Sequence, residues 1–288
     1  MKSTLKVWTG LGVATALVGA GLAGCAGENG EGGEGGEGAA VAGEAGEGEG
    51  GQGEGGEGEG GEGEAGPGDG EGGVAVLDAA TDPVTYGAAL AIVEAHAIAA
   101  RDAYLAGKTE EAAEMFAHPV AEVLADMDPV FEQLGVTDFK ATMTDASTAA
   151  FEADNAAGVE ASFDAITEAL AAAAEKAPSS DLSAGVVTAG VVSDQIDRAI
   201  AMYGKAAGSE EYGPYLDGYG FYKAAAAGFA RNSEAVKTYN SGLHGDIAAA
   251  LDLLETAYPG VERPAAMDVE QGKLLGAASK VKLGLPAK

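Results

Sequence analysis

Thr81-Asp82-Pro83-Val84-Thr85-Tyr86-Gly87-Ala88-Ala89-Leu90-Ala91-Ile92-Val93-Glu94-Ala95-His96-Ala97-Ile98-Ala99-Ala100-Arg101-Asp102-Ala103-Tyr104-Leu105-Ala106-Gly107 is the stretch whose reading decides the fold. A capping residue precedes a proline at the first helical position, and a glycine stands at the far end, which is the asymmetry of a helix. Between them Tyr86, Leu90, Val93, Ala97, Ala100 and Tyr104 recur every three or four residues, so one face of about six turns is apolar. The rest of the chain from residue 74 has the same character. Alanine dominates, prolines are few and alternating β-branched runs are nearly absent, so helix is the expected main state. The expected fold is all-α, a multi-helix bundle of antiparallel helical pairs over residues 74–288.

Downstream punctuation divides this bundle. Thr109 caps a second helix through Glu110, Glu111 and Phe116; His118-Pro119 is expected to interrupt it, with a new helix beginning at Pro119. Asp128-Pro129 repeats the device and starts the turn carrying Val130, Phe131 and Leu134 to Gly135. Further helices are expected over residues 138–156, 159–177, 182–207, 220–232, 234–258 and 265–283. Gly213-Pro214 and Gly218-Tyr219-Gly220 give the segment between them a loop-like reading. Alanine buries little area per residue, so a few large anchors must hold the core, with Phe116, Phe131, Phe139, Phe151, Phe163, Phe221 and Phe229 as candidates. On that reading Phe163→Ala costs about 3 to 5 kcal/mol.

The N-terminus carries a separate message. Lys2 and Lys6 form a basic start, residues 7–23 are uncharged and mostly apolar with four glycines, and Leu22-Ala23-Gly24-Cys25 follows. This order resembles the lipobox of bacterial lipoprotein precursors. The resemblance implies that residues 1–24 are a signal peptide, that Cys25 is lipidated as the mature N-terminus, and that the membrane is a partner through that residue. It also implies a cell-envelope location, with Ala26 in place of an aspartate favouring the outer membrane and a domain held in the periplasm or at the cell surface. Cys25 is the only cysteine, which excludes internal disulfides, cysteine zinc clusters and CxxC redox pairs.

Residues 25–73 then read as the lipidated cysteine and a disordered acidic linker of Gly, Glu and Ala, with too little apolar surface to offset ordering entropy. A flexible coil of that length spans about 38 Å root-mean-square. The formal net charge is −30, and roughly half of it lies in residues 28–71, where Lys and Arg do not occur. Nucleic acid is an unsuitable partner, because phosphate binding needs a basic patch that neither tether nor body offers.

For chemistry, the histidines matter most in a chain without an internal cysteine site. His96 lies beside the apolar stripe of the first helix, and His118 has Glu114 and Glu122 four residues to either side. Two neighbouring helices could join His96, His118 and Glu122 as an N,N,O site for iron, copper or zinc, or in a haem-handling role; the competing reading makes both histidines packing residues. Glu94, His96, His118-Pro119, Glu122, Glu211, Tyr212 and residues 215–221 together resemble uncharacterised all-helical envelope proteins of proteobacteria. Ala95 departs from the glycine expected there, and the resemblance implies no activity. Tyr212, Tyr215, Tyr219 and Tyr222 form a stripe that suits either core packing or a pocket for a lipid, sugar or peptide.

GxSxG, HExxH, P-loop and EF-hand patterns are missing from the sequence. The leading expectation is therefore a non-enzymatic envelope lipoprotein, a binding or accessory module with no assigned cofactor, whose small-molecule, lipid or protein partner is not identified by the residues. The alternatives are a metal-handling (iron, copper) or haem-handling protein and, third, a hydrolase without a recognisable motif.

Overall fold

The computed structural model describes residues 76–287, with side chains from residue 78; the signal segment, Cys25 and the acidic tract lie outside them. The described chain is an all-α multi-helix bundle, in the order α1 Val76–Ala79, α2 Pro83–Leu105, α3 Thr109–Pro119, a π-helical turn Val120–Leu124, α4 Ala125–Leu134, α5 Lys140–Ala150, α6 Ala156–Ala174, α7 Ala184–Gly208, α8 Gly213–Tyr239, α9 Ser241–Ala257 and α10 Gln271–Gly284.

The opening stretch forms α2 as its caps dictate. Asp82 accepts the Val84 N–H at 3.0 Å and the Thr85 hydroxyl at 2.7 Å, Pro83 needs no N–H at the first position, and Gly107 takes φ +81° just past the end. By length and composition α2 could cross a membrane, but 78% of its most apolar window is buried inside the bundle. It is the central helix of the domain, enclosed by α3, α6, α7 and α8. The most extensive helix–helix interface is between α7 and α8, joined by four residues, Ser209 to Tyr212.

Four expectations change. His118-Pro119 does not break the helix: α3 runs into the π-helical turn and on into α4, with the Ala125 N–H reaching back five residues to the Val120 carbonyl. Proline lacks an N–H and its ring crowds the carbonyl four residues back, and a widened turn relieves both without ending the helix. Pro129 likewise lies within α4. The segment read as loop-like, residues 213–220, is instead the start of α8, buried from Tyr215 onward, where Gly218 and Gly220 serve close helix packing. Conversely, the helix expected over 234–258 is cut at Asn240, whose side chain accepts the Gly242 and Leu243 N–H groups and starts α9.

The anchors divide too. Phe116, Phe131, Phe139 and Phe221 are buried, Phe163 and Phe229 are partly buried against the core, and Phe151 at the end of α5 is exposed. Tyrosines supply much of the missing bulk: Tyr86, Tyr203, Tyr215 and Tyr258 are among the largest fully buried side chains, each with its hydroxyl hydrogen-bonded to backbone.

Candidate metal centre

His96 lies on α2 and is 4% exposed. Its Nδ1 is 2.8 Å from the Ile92 carbonyl oxygen, one turn back. A carbonyl only accepts, so Nδ1 carries the proton and a neutral ring keeps its lone pair on Nε2. This is how metal-binding imidazoles are commonly fixed in tautomer and orientation.

Nε2 points at two carboxylates from two other elements. Asp217 Oδ1, from α8, is 3.7 Å away and Glu122 Oε2, from the π-helical turn, is 4.0 Å away. His118, the penultimate residue of α3, brings its ring edge-on to that of His96 with centroids 5.9 Å apart. One ligand atom each from His96, His118 and Asp217 lie within 4.8 Å of one another. Of the three residues read from the sequence as an N,N,O set, the structure groups His96 and His118 with Asp217, a carboxylate that the sequence reading missed, while Glu122 approaches the group through His96 Nε2.

Local packing explains the convergence. A Cβ on Gly220 would stand 2.5 Å from the Ala95 carbonyl oxygen, and one on Gly218 would stand 1.8 Å from the Tyr258 hydroxyl. Glycine at 220 lets α8 approach α2 at the residue next to His96, delivering Asp217 in the same turn, and glycine at 218 makes room for Tyr258 and α7. Phe221, one helical turn after Asp217, packs edge-on to His96 at 5.6 Å and seals that side from water. The π-helical turn places Glu122 at the opposite margin, 29% exposed, the most accessible of the carboxylates here. Such turns within α-helices recur at functional sites.

Chemically, a lone pair on Nε2 facing two carboxylates is favourable when a cation lies between them. Ligand bonds of about 2.0–2.2 Å put two donors on one ion roughly 3.0–4.2 Å apart, depending on angle. The 3.7 and 4.0 Å separations fall in that range. Two imidazoles with two carboxylates suit a divalent first-row ion, imidazole favouring iron, copper and zinc and carboxylate drawing the set toward harder ions.

The tyrosine stripe takes the core reading. Tyr212 donates to the Val261 carbonyl at 2.8 Å, Tyr215 to Gly260 at 2.6 Å and Tyr219 to Asp102 Oδ2 at 2.7 Å, while Tyr222 stacks on Tyr258 at 6.3 Å. Burial pushes the Tyr212 and Tyr215 hydroxyls up to about 12, and pushes Tyr219 up as well, with the Asp102 carboxylate adding to it. The hydroxyls of Tyr212 and Tyr215 brace α8 against the segment after α9 and that of Tyr219 braces it against α2, and none of the four tyrosines lines the cavity between α2, α6, α7 and α8.

The third histidine, His244 of α9, bonds Ser233 at 2.8 Å and lies tilted against the Phe229 ring at 5.0 Å. No protein-family model, no curated protein and no solved structure matches the chain.

Proposed function

We propose that the helical domain is a metal-binding module: it holds one divalent first-row transition ion through His96 Nε2, His118 and Asp217, with Glu122 closing the coordination from the π-helical turn. The single observation that carries this reading is the convergence of a buried imidazole, locked by its own backbone, on carboxylates from two other helical segments, one of them buried. The donors surround a point, which suits a bare ion better than a porphyrin. The lipobox resemblance supports presenting this module from the bacterial envelope on lipidated Cys25, in a binding or accessory rather than catalytic role.

The test is metal titration of the purified full-length protein after chelator treatment, with Zn(II) and anaerobic Fe(II) as probes and circular dichroism as the folding control. One equivalent should bind. His96→Ala and Asp217→Asn should each weaken binding about 100-fold or more, and Glu122→Gln about tenfold, because that carboxylate is the more solvated. Substoichiometric binding, or affinity unmoved by His96→Ala in a folded protein, would refute the reading.

A further inference from the structure

On the other side of α2 lies a cavity of about 530 Å³, bounded by α2, α6, α7 and α8. Its size falls in the range of about 300–1,000 Å³ that organic ligands occupy. Leu90, Leu170, Val187, Val191 and Val192 give it aliphatic walls, and glycine and alanine leave it room. Two charged residues, Glu94 and Arg231, are found in the lining among the described residues, and they pair with each other across the mouth.

That pair is asymmetric in spare capacity. Arg231 Nη1 donates to Glu94 Oε1 at 2.6 Å and Nη2 to Oε2 at 2.9 Å, so both carboxylate oxygens are engaged. A guanidinium has five N–H donors, and three remain for a further acceptor. Arg231 is also the more solvent-facing partner, 56% exposed against 22% for Glu94, as a group that meets an incoming ligand must be. An apolar bore with surplus donors at its entrance selects an aliphatic chain that ends in an anionic acceptor.

We propose that this cavity binds a single-chain aliphatic carboxylate, the chain lying along the Leu90–Val191 walls and the carboxylate accepting from Arg231. The site is independent of the metal reading, since Glu94 and His96 project from α2 about 200° apart. Gly228 offers a selective way to fill it. A Cβ there would meet Val192 and Arg231 atoms only at 3.7 Å, ordinary contact, so a larger side chain grows into the cavity and a helix-weakening glycine is removed.

The experiment is calorimetric titration of the full-length protein with decanoate, decanol and decylammonium, each below its aggregation threshold. Decanoate should bind most tightly, and affinity should rise about fourfold per methylene across the octanoate-to-decanoate series. Arg231→Gln should weaken decanoate at least tenfold while leaving decanol within about twofold, and Glu94→Gln should tighten decanoate. Gly228→Leu should abolish binding of all three with an unchanged or raised melting temperature; if it fails to fold, Ala171→Trp at the exposed rim serves the same purpose. Decylammonium outcompeting decanoate, Arg231→Gln without effect, or a short-chain phosphatidylcholine binding more tightly than any single chain would overturn the proposal.

Discussion

The two faces of α2 are built on opposite principles from the same small residues. At Ala95 the first half of α8 comes so close that residue 220 has no space for a Cβ, and polar groups from three segments meet around His96. Two turns further along α8, Gly228 has space for a side chain, and an aliphatic hollow opens beside Leu90. Alanine and glycine allow both outcomes because they fix neither distance; the larger neighbours do. Phe221 holds the tight side closed against His96, whereas Arg231 and Glu94 bridge the open side only at its mouth. A helix poor in large residues can thus carry a polar centre and an apolar cavity back to back, provided the bulk comes from its partners.

The sharpest way to break the contrast is to loosen the tight side. Phe221 is 1% exposed and packs on His96, so Phe221→Ala should cost about 3 to 5 kcal/mol, read from a urea denaturation midpoint, and degrade metal affinity in parallel. A cost below about 1 kcal/mol would mean that the bundle closes over the gap and that Phe221 does not define this side.

The cavity side has its own clamp in Tyr86, fully buried, whose hydroxyl donates to the Ala173 carbonyl of α6 at 2.7 Å. Burial pushes this hydroxyl up to about 12, from an unfolded value near 10. The folded state keeps its proton where the unfolded chain has lost it. The stabilisation is therefore complete below pH 10 and is lost as pH rises toward 12, at about 1.4 kcal/mol per pH unit, or about 2.7 kcal/mol across the window. Denaturation midpoints from pH 9 to 12 in the wild type and in Tyr86→Phe should show a shallower alkaline decline in the variant. Parallel curves would place the alkaline sensitivity in the other buried tyrosines.

How far these faces could be read in advance depended on what each signal encodes. The caps at Asp82, Pro83 and Gly107 act within a few residues, so α2 was legible almost to its ends. His96 and His118 were legible as imidazoles on neighbouring helices. Asp217 was not, since Gly218 and Gly220 suggest a loop unless the contacts with Tyr258 and Ala95 that require them are known. A usable signal was present: Asp217 and Phe221 are four apart, which puts a lone carboxylate and an anchor on one helical face. The continuity of α3 through Pro119 was hidden for a similar reason, because a local rule against proline says nothing of the π-helical turn that absorbs it. The cavity is a property of four helices together and left no linear trace.

Phe163 tests the finest part of the comparison, because it lies against the face of α2 that carries Glu94, two turns further on at Arg101. Sequence alone ranked it with the core anchors, but the ring is only partly buried, and the Arg101 guanidinium sits over it at 4.2 Å from the centroid. Two smaller terms then replace one large one. Partial burial returns only part of the transfer energy of a phenylalanine, and an accessible cation–π contact adds about 0.5 to 1 kcal/mol. Phe163→Ala should cost about 1 to 2 kcal/mol, less than half the Phe221→Ala effect, and Phe163→Leu should cost less again because it keeps apolar contact while losing the ring face. Combining Phe163→Leu with Arg101→Gln separates the terms: a coupling near 0.5 kcal/mol assigns the remainder to burial. A Phe163→Ala loss close to 4 kcal/mol with no coupling would instead show that this end of the face is sealed as tightly as the one around His96, and the division of α2 into a closed side and an open side would fail there.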